Sequence, residues 1–141
     1  MRNDADDGYL RTPQYSPDGS KVALLTDYEG QWNARGRVNN QLATFSVHDH
    51  VKLWSVPIER NIDLLGWSRD GKWLYLIMSD TGKTSISRMR IDDGKREYVI
   101  GLPWPDIFEV VMAPDCSTFA CVRGQSQSDI WMIEHFDPDV K

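Results

Sequence analysis

The stretch "YSPDGSKVALL", residues 15–25, decides the fold, because a Ser-Pro-Asp-Gly turn leads directly into an apolar run. Ser16, Pro17, Asp18 and Gly19 fit the four positions of a type I turn. Serine caps the turn locally, proline presets φ, and glycine closes the turn without a Cβ penalty. A turn in front of an apolar strand predicts a hairpin. The fold then depends on whether this hairpin occurs once or is repeated.

The pattern occurs twice more. "LLGWSRDGKWLYLIMSD" begins at Leu64, and "EVVMAPDCSTFACVRG" begins at Glu109. The turn aspartates Asp18, Asp70 and Asp115 align, with spacings of 52 and 45 residues. Self-similarity at this period is typical of repeat architectures.

The middle copy predicts four short antiparallel strands, because apolar alternations are separated by Asp-Gly and Thr-Gly turns. These strands span residues 63–68, 72–79, 84–91 and 96–100. The second of them is apolar on both faces, with Trp73, Tyr75 and Ile77 on one side and Leu74, Leu76 and Met78 on the other. A strand buried on both sides implies sheets stacked face to face.

The other two copies follow the same plan. Predicted strands of the first copy span residues 12–16, 20–27, 40–47 and 51–56, with a polar insertion at 28–40. Those of the third span 107–112, 117–123 and 128–134, and a fourth is missing or very short. No stretch has a 3.6-residue apolar period, so we expect an all-β fold with negligible helix.

The repeats resemble those of TolB-type, WD-repeat-like β-propellers, whose blades open with a (W/F)SPDG turn. The matching segments are "YSPDGSKVA", "WSRDGKWLY" and "MAPDCSTFA". Similar blades occur in the N-terminal propellers of the prolyl oligopeptidase family and in sensor modules of bacterial kinases and transcription regulators. The resemblance covers roughly residues 12–136 and implies antiparallel four-stranded blades, about three in number, the third incomplete.

The repeat boundaries divide the chain. We expect a polar tail at 1–11, blade 1 at 12–57, blade 2 at 58–102, blade 3 without its outer strand at 103–136, and a C-terminal tail at 137–141. In blade 3, Cys116 takes the glycine position of the turn and Ala113 the serine position. Because a Cβ at positive φ is costly, we expect this turn to be distorted.

Composition excludes two classes of partner. The net charge is −5, and the 16 Lys and Arg residues are scattered. This argues against nucleic-acid binding, which needs clustered cations. Apolar stretches fall far short of the ~20 residues that span a bilayer. We therefore expect no membrane span and a soluble protein, in the bacterial cytoplasm or periplasm.

Candidate catalytic and metal motifs are weak. "GQSQS" at 124–128 lacks the final glycine and the helix of a nucleophile elbow. His48 and His50 have a metal-like spacing, but the alignment places them in a polar turn without a third ligand. Cys116 and Cys121 are expected as free thiols. We predict no enzyme activity, no metal and no cofactor.

The insertion at 28–40 is the candidate binding site. It would project from the face that carries the connections between blades, where propellers commonly bind ligands. Trp and Arg with Asn suit contact with a peptide or carbohydrate, although loops also tolerate insertions without function. The predicted ligand-binding residues are Trp32, Asn33, Arg35, Arg37 and Asn39.

Two functions remain open. The first is a non-enzymatic binding or scaffold module that presents loops to a protein or small polar ligand. The alternative, implied by the resemblance, is a propeller segment of a prolyl oligopeptidase-like serine peptidase whose hydrolase domain is absent from this chain.

Three blades would form an open arc, since closed propellers typically have 4–8. The arc would leave one face of blade 1 uncovered, with Phe45, Leu53 and Trp54, and one of blade 3, with Phe119, Val122, Ile130 and Trp131. We expect these faces to be covered either by self-association, as a homodimer closing a six-bladed ring, or by the remaining blades of a longer parent chain.

Overall fold

The computed structural model describes residues 13–27, 32–33, 36–37, 40–59, 61–105, 107–124, 129–134 and 136–137. These residues form thirteen β-strands and contain no helix. The predicted all-β fold is therefore confirmed.

Blade 1 is a four-stranded antiparallel sheet with a small hairpin inserted in it. The sheet has the order β1 (Gln14–Tyr15), β2 (Lys21–Asp27), β5 (Asn40–Ser46), β6 (Lys52–Ile58). The hairpin lies in the connection between β2 and β5 and consists of β3 (Trp32–Asn33) and β4 (Gly36–Arg37). The connection at 28–39 thus contains paired strands of its own.

Blades 2 and 3 repeat the plan of blade 1. Blade 2 contains β7 (Ile62–Trp67), β8 (Trp73–Asp80), β9 (Lys83–Arg90) and β10 (Arg96–Leu102). Blade 3 contains β11 (Ile107–Met112), β12 (Thr118–Arg123) and β13 (Asp129–Glu134), and has three strands in the described part of the chain. Each strand predicted from the sequence begins and ends within two residues of the observed one.

The core lies between the blades. Seam 1/2 is the apolar cluster shared by blades 1 and 2, and contains Ala23, Leu42, Ile58, Ile62, Trp67, Leu74, Leu76 and Met89. Seam 2/3 is the cluster shared by blades 2 and 3, and contains Tyr75, Ile86, Leu102, Cys116, Phe119 and Phe136. Strand β8 contributes Leu74 and Leu76 to one seam and Tyr75 to the other. The prediction of a strand buried on both faces is confirmed, and β8 joins the two cores.

Strand alternation corrects the predicted open faces. Trp54 packs into seam 1/2 and Phe119 into seam 2/3, so neither lies on an uncovered face. The ring of Trp131 lies 5.4 Å from that of Trp104, on the blade 2 side. Because successive side chains point to opposite faces, the neighbours Ile130 and Met132 point outward instead. Both are highly exposed.

The aspartates stabilise their turns by side-chain hydrogen bonds. Each turn carboxylate accepts a bond of 3.0 Å from the backbone N–H two residues later, in Asp18, Asp70 and Asp115 alike. In the first turn the Ser16 hydroxyl also donates to the same oxygen of Asp18 at 2.6 Å, and accepts from the Lys21 N–H at 2.9 Å. The side-chain bonds brace the chain reversal in front of each second strand.

The turn of blade 3 is not distorted, contrary to the sequence-based expectation. Cys116 adopts a φ of 60°, close to the 71° of Gly19 and the 70° of Gly71. Its N–H donates to the Ala113 carbonyl at 2.9 Å, as the two glycines do in their own turns. The Cys116 side chain is buried in seam 2/3, where Sγ donates to the Trp67 carbonyl at 3.3 Å. Burial between the blades offsets the cost of the positive φ.

Acid should destabilise the fold through its turn carboxylates. Hydrogen bonding from Ser16 lowers the pKa of Asp18 to about 2, and bonding from Arg90 lowers that of Asp93 to about 2. An unfolded aspartate titrates near pH ~3.9. Their stabilisation is therefore complete above that pH and is lost as the pH falls toward 2.

We expect the thermal midpoint to be level near neutral pH and to fall between about pH 4 and pH 2. The double variant Asp18→Asn/Asp93→Asn should show a shallower fall, measured by circular dichroism. The variant Asp80→Asn, at an exposed aspartate, is the control and should keep the wild-type slope. A double variant with the wild-type slope would show that these carboxylates contribute nothing.

Candidate ligand-binding face

The two ends of the blades carry different connections. At the turn end, which carries the turns of Asp18, Asp70 and Asp115, neighbouring blades touch. Pro17 of blade 1 lies 3.9 Å from the point where a Cβ atom would stand if Gly71 had a side chain. The Cys116 Sγ of blade 3 donates a hydrogen bond to the Trp67 carbonyl of blade 2. The other end, which we call the loop end, carries the connections β2–β5, β6–β7, β8–β9 and β10–β11.

Contacts between these connections confirm that they lie together at one end of the blades. The Cβ position of Gly82, in the β8–β9 turn, lies 3.8 Å from Pro105, in the β10–β11 connection. The Asn61 side chain, in the β6–β7 connection, donates to the Ser79 carbonyl at 3.0 Å. The β2–β5 connection starts and ends at the same end of its sheet, because β2 and β5 are antiparallel.

The predicted ligand-binding residues fall partly within the described chain. The hairpin pairs Trp32 with Arg37, and Asn33 with Gly36. It therefore brings three of the five predicted residues together on two short strands. Arg35 and Asn39 lie outside the described residues. Ligand binding by this loop stays a prediction.

The other candidate motifs give no site in the described part of the chain. His48 and His50 are exposed in the turn between β5 and β6, and no group of three His, Cys, Asp or Glu residues there is placed to hold a metal. Cys116 and Cys121 are buried free thiols, and burial raises the pKa of both. A raised pKa leaves less of the reactive thiolate. Of "GQSQS", only Gly124 lies within the described residues.

A buried polar network was missed by sequence reasoning. Asp137, which the repeat boundaries place in the C-terminal tail, is 2% exposed. Its carboxylate accepts from the Tyr75 hydroxyl and, at 3.2 Å, from Arg88. Arg88 also donates to Glu97 at 2.9 Å and stacks over the Trp73 ring at 4.3 Å. Burial and the neighbouring Asp137 raise the pKa of Tyr75, so its hydroxyl stays a donor.

We call this network of Tyr75, Arg88, Glu97 and Asp137 the clamp, because it joins blade 2 to the segment that follows blade 3. Its carboxylate is enclosed, and 62 residues separate Tyr75 from Asp137 along the chain. A local sequence pattern cannot report a pairing over that distance. Because the group is buried and fully engaged, we assign it to stability and not to ligand binding.

Comparison with solved structures identifies the architecture. TolB from Acinetobacter baumannii superposes with a TM-score of 0.60 at 14% identity, over 87% of this chain and 29% of that one. The chain is a segment of a β-propeller. The β-propeller domain of the Trilobed protease from Pyrococcus furiosus matches with a TM-score of 0.56 at 15% identity, over 90% of this chain and 39% of that one.

A peptidase also shares the fold. Pyrococcus horikoshii acylaminoacyl peptidase matches the propeller segment with a TM-score of 0.61 at 14% identity, over 90% of this chain and 23% of that one. The propeller segment thus spans less than half the length of each of these structures. No protein-family model and no curated protein matches the sequence. No helix in the described residues is long and apolar enough to cross a membrane.

Proposed function

We propose that this propeller segment is a non-enzymatic binding or scaffold module that presents its loop end to a protein or small polar ligand. The observation that carries the proposal is the paired hairpin of β3 and β4 inside the β2–β5 connection. Other connections at this end, such as Thr81–Gly82 between β8 and β9, are short turns. An ordered hairpin presents side chains at a lower entropic cost than an open loop.

The residue types in this connection support the proposal. Trp and Arg are the residues most enriched at the energetic centres of protein interfaces. Trp32 and Arg37 are paired across the hairpin. An arginine offers a planar set of donors to a carboxylate, a backbone carbonyl or a sugar hydroxyl. A peptide or a glycan is therefore the ligand class to test first.

The test is a thermal-shift screen of peptides and glycans, followed by calorimetry on each hit. Trp32→Ala and Arg37→Ala should each weaken binding at least about tenfold. The control is Lys72→Ala, an exposed residue of the turn end that should bind as wild type. Loop variants that bind every hit with unchanged affinity would overturn the proposal.

A second candidate is a propeller segment of a serine peptidase of the prolyl oligopeptidase type. The likeness to an acylaminoacyl peptidase propeller favours it. On this hypothesis the catalytic residues belong to a separate hydrolase domain. Sequencing the parent gene beyond Lys141 tests it: a hydrolase with a G-x-S-x-G motif supports this candidate, and a stop codon contradicts it.

A further inference from the structure

Blade 3 has an apolar face that no described residue covers. This open face of blade 3 consists of Val111, Ala120, Val122, Ile130 and Met132, which the register of β11, β12 and β13 places on the side away from blade 2. Val111 is 57%, Ile130 76% and Met132 63% exposed. Adjacent exposed apolar side chains of this kind mark an interaction surface.

Blade 1 has a second such face at the opposite end of the arc. The open face of blade 1 consists of Tyr15, Val22, Phe45, Lys52 and Leu53, on the side away from seam 1/2. The neighbours Lys52 and Leu53 share this side because the pairing of β5 with β6 shifts by one residue between Thr44 and Phe45. Tyr15 and Leu53 are exposed. A cleft with a volume of about 260 Å³ lies on this face and is lined by Tyr15, Val22, Phe45, Ser46, Val47 and His50.

Seams 1/2 and 2/3 show how the face of one blade is covered by the face of the next blade. Trp67, the last residue of β7, donates its indole N–H to the Gln14 carbonyl of blade 1 at 2.8 Å. Met112, the last residue of β11, lies 3.0 Å from the Cβ position of Gly66 in blade 2. In both seams, the final residue of the first strand reaches back to the first strand of the preceding blade.

The repeat register extends this rule to the open faces. Tyr15 is the last residue of β1 and corresponds to Trp67 and Met112, since each precedes an aspartate turn. Val111 directly precedes Met112, as Gln14 precedes Tyr15 and Gly66 precedes Trp67. Val111 is therefore the counterpart of Gln14 and Gly66, the residues that are contacted in the internal seams. By this correspondence, the exposed Tyr15 could contact the exposed Val111 of another copy in the way that Trp67 contacts Gln14 and Met112 contacts Gly66.

We propose that two copies of the chain close into a six-bladed ring, in which blade 1 of each copy packs on blade 3 of the other. Tyr15 then lies over the partner's Val111, and the same contact recurs at the second junction by two-fold symmetry. Six blades lie within the range that closes a propeller. This inference goes beyond the proposed binding role and does not depend on it.

The charges on the two faces favour this pairing. Glu109 and Glu134, both exposed, border the open face of blade 3 because they share its side of β11 and β13. Lys52 pairs with Phe45 and so belongs to the open face of blade 1. Opposite charges at the margin of an apolar contact set its orientation more than its strength.

Light scattering coupled to size exclusion tests the proposal. The full chain should elute with about twice the 16.2 kDa mass of one copy from about 1 to 100 μM. Tyr15→Asp and Met132→Asp, on the two open faces, should each give a folded monomer. Tyr98→Asp is the matched control, because Tyr98 is 72% exposed but lies on blade 2, and it should remain a dimer.

Crosslinking distinguishes the ring from other dimers. A mixture of Tyr15→Cys chains with Val111→Cys chains should be joined by a short bismaleimide, because the contact runs from blade 1 to blade 3 of the partner. A mixture of Tyr98→Cys with Val111→Cys chains should not. A folded wild-type monomer, or a dimer that survives both aspartate variants, would overturn the proposal.

Discussion

Replacing Phe119 with alanine should lower the free energy of unfolding by about 3–5 kcal/mol. Phe119 is buried in seam 2/3, and its ring lies 4.8 Å from the ring of Phe136 in an edge-to-face contact. Truncation removes this contact and leaves a cavity between blades that are joined mainly by apolar packing. Urea denaturation followed by tryptophan fluorescence measures the loss.

The control separates packing from the loss of any aromatic ring. Tyr98→Ala removes an exposed ring from β10 and should change stability by about 0.5 kcal/mol or less. Phe119→Leu should recover much of the loss, because leucine fills part of the cavity. A Phe119→Ala variant as stable as Tyr98→Ala would mean that blade 3 gains nothing from seam 2/3.

The same variant tests how the blades depend on one another. In a repeat protein each unit is stabilised by its interface with the next. Hydrogen exchange in a Phe119→Ala chain that also carries Tyr15→Asp, and is therefore a monomer, should accelerate most in β11, β12 and β13. It should accelerate least in blade 1, which shares no seam with blade 3 of the same copy. Equal acceleration in all blades would indicate a single cooperative unit instead.

The strands of this fold could be predicted because their signals are local. A turn such as Ser16–Gly19 and a period-two run such as 73–78 each need only a few neighbouring residues. Strand β8 shows the strength of this reasoning, since its two apolar faces alone required a sheet on either side. The observed seams meet that requirement.

Errors arose where the outcome depends on contacts distant in sequence. The sequence shows the apolar alternation of β13 but does not show which face of the strand packs against blade 2. For this reason the prediction that Trp131 lies on the open face is wrong. The Cys116 turn was judged by its local backbone cost, whereas burial between blades decides it. For the candidate loop, the sequence located the insertion but did not predict its paired strands.

Asp137→Ala should be the second most damaging change, lowering the free energy of unfolding by about 2–4 kcal/mol. The substitution leaves the buried Tyr75 hydroxyl without its acceptor and removes one of the carboxylates that compensate Arg88. Arg88 keeps Glu97 at 2.9 Å, which limits the cost. The exposed Asp80 provides the control, and Asp80→Ala should stay within about 0.5 kcal/mol of wild type.

A double-mutant cycle shows whether the clamp acts as a unit. Tyr75→Phe keeps the ring in seam 2/3 and removes only the donor, so it should cost about 1–2 kcal/mol by itself. Combined with Asp137→Ala it should cost less than the two single losses together, with a coupling of about 0.5–3 kcal/mol. Strict additivity would show that the Tyr75–Asp137 bond contributes nothing to stability. In that case, the segment after β13 depends on the ring contacts of Phe136 with Tyr75 and Phe119 and on the bond from Arg88 to Asp137.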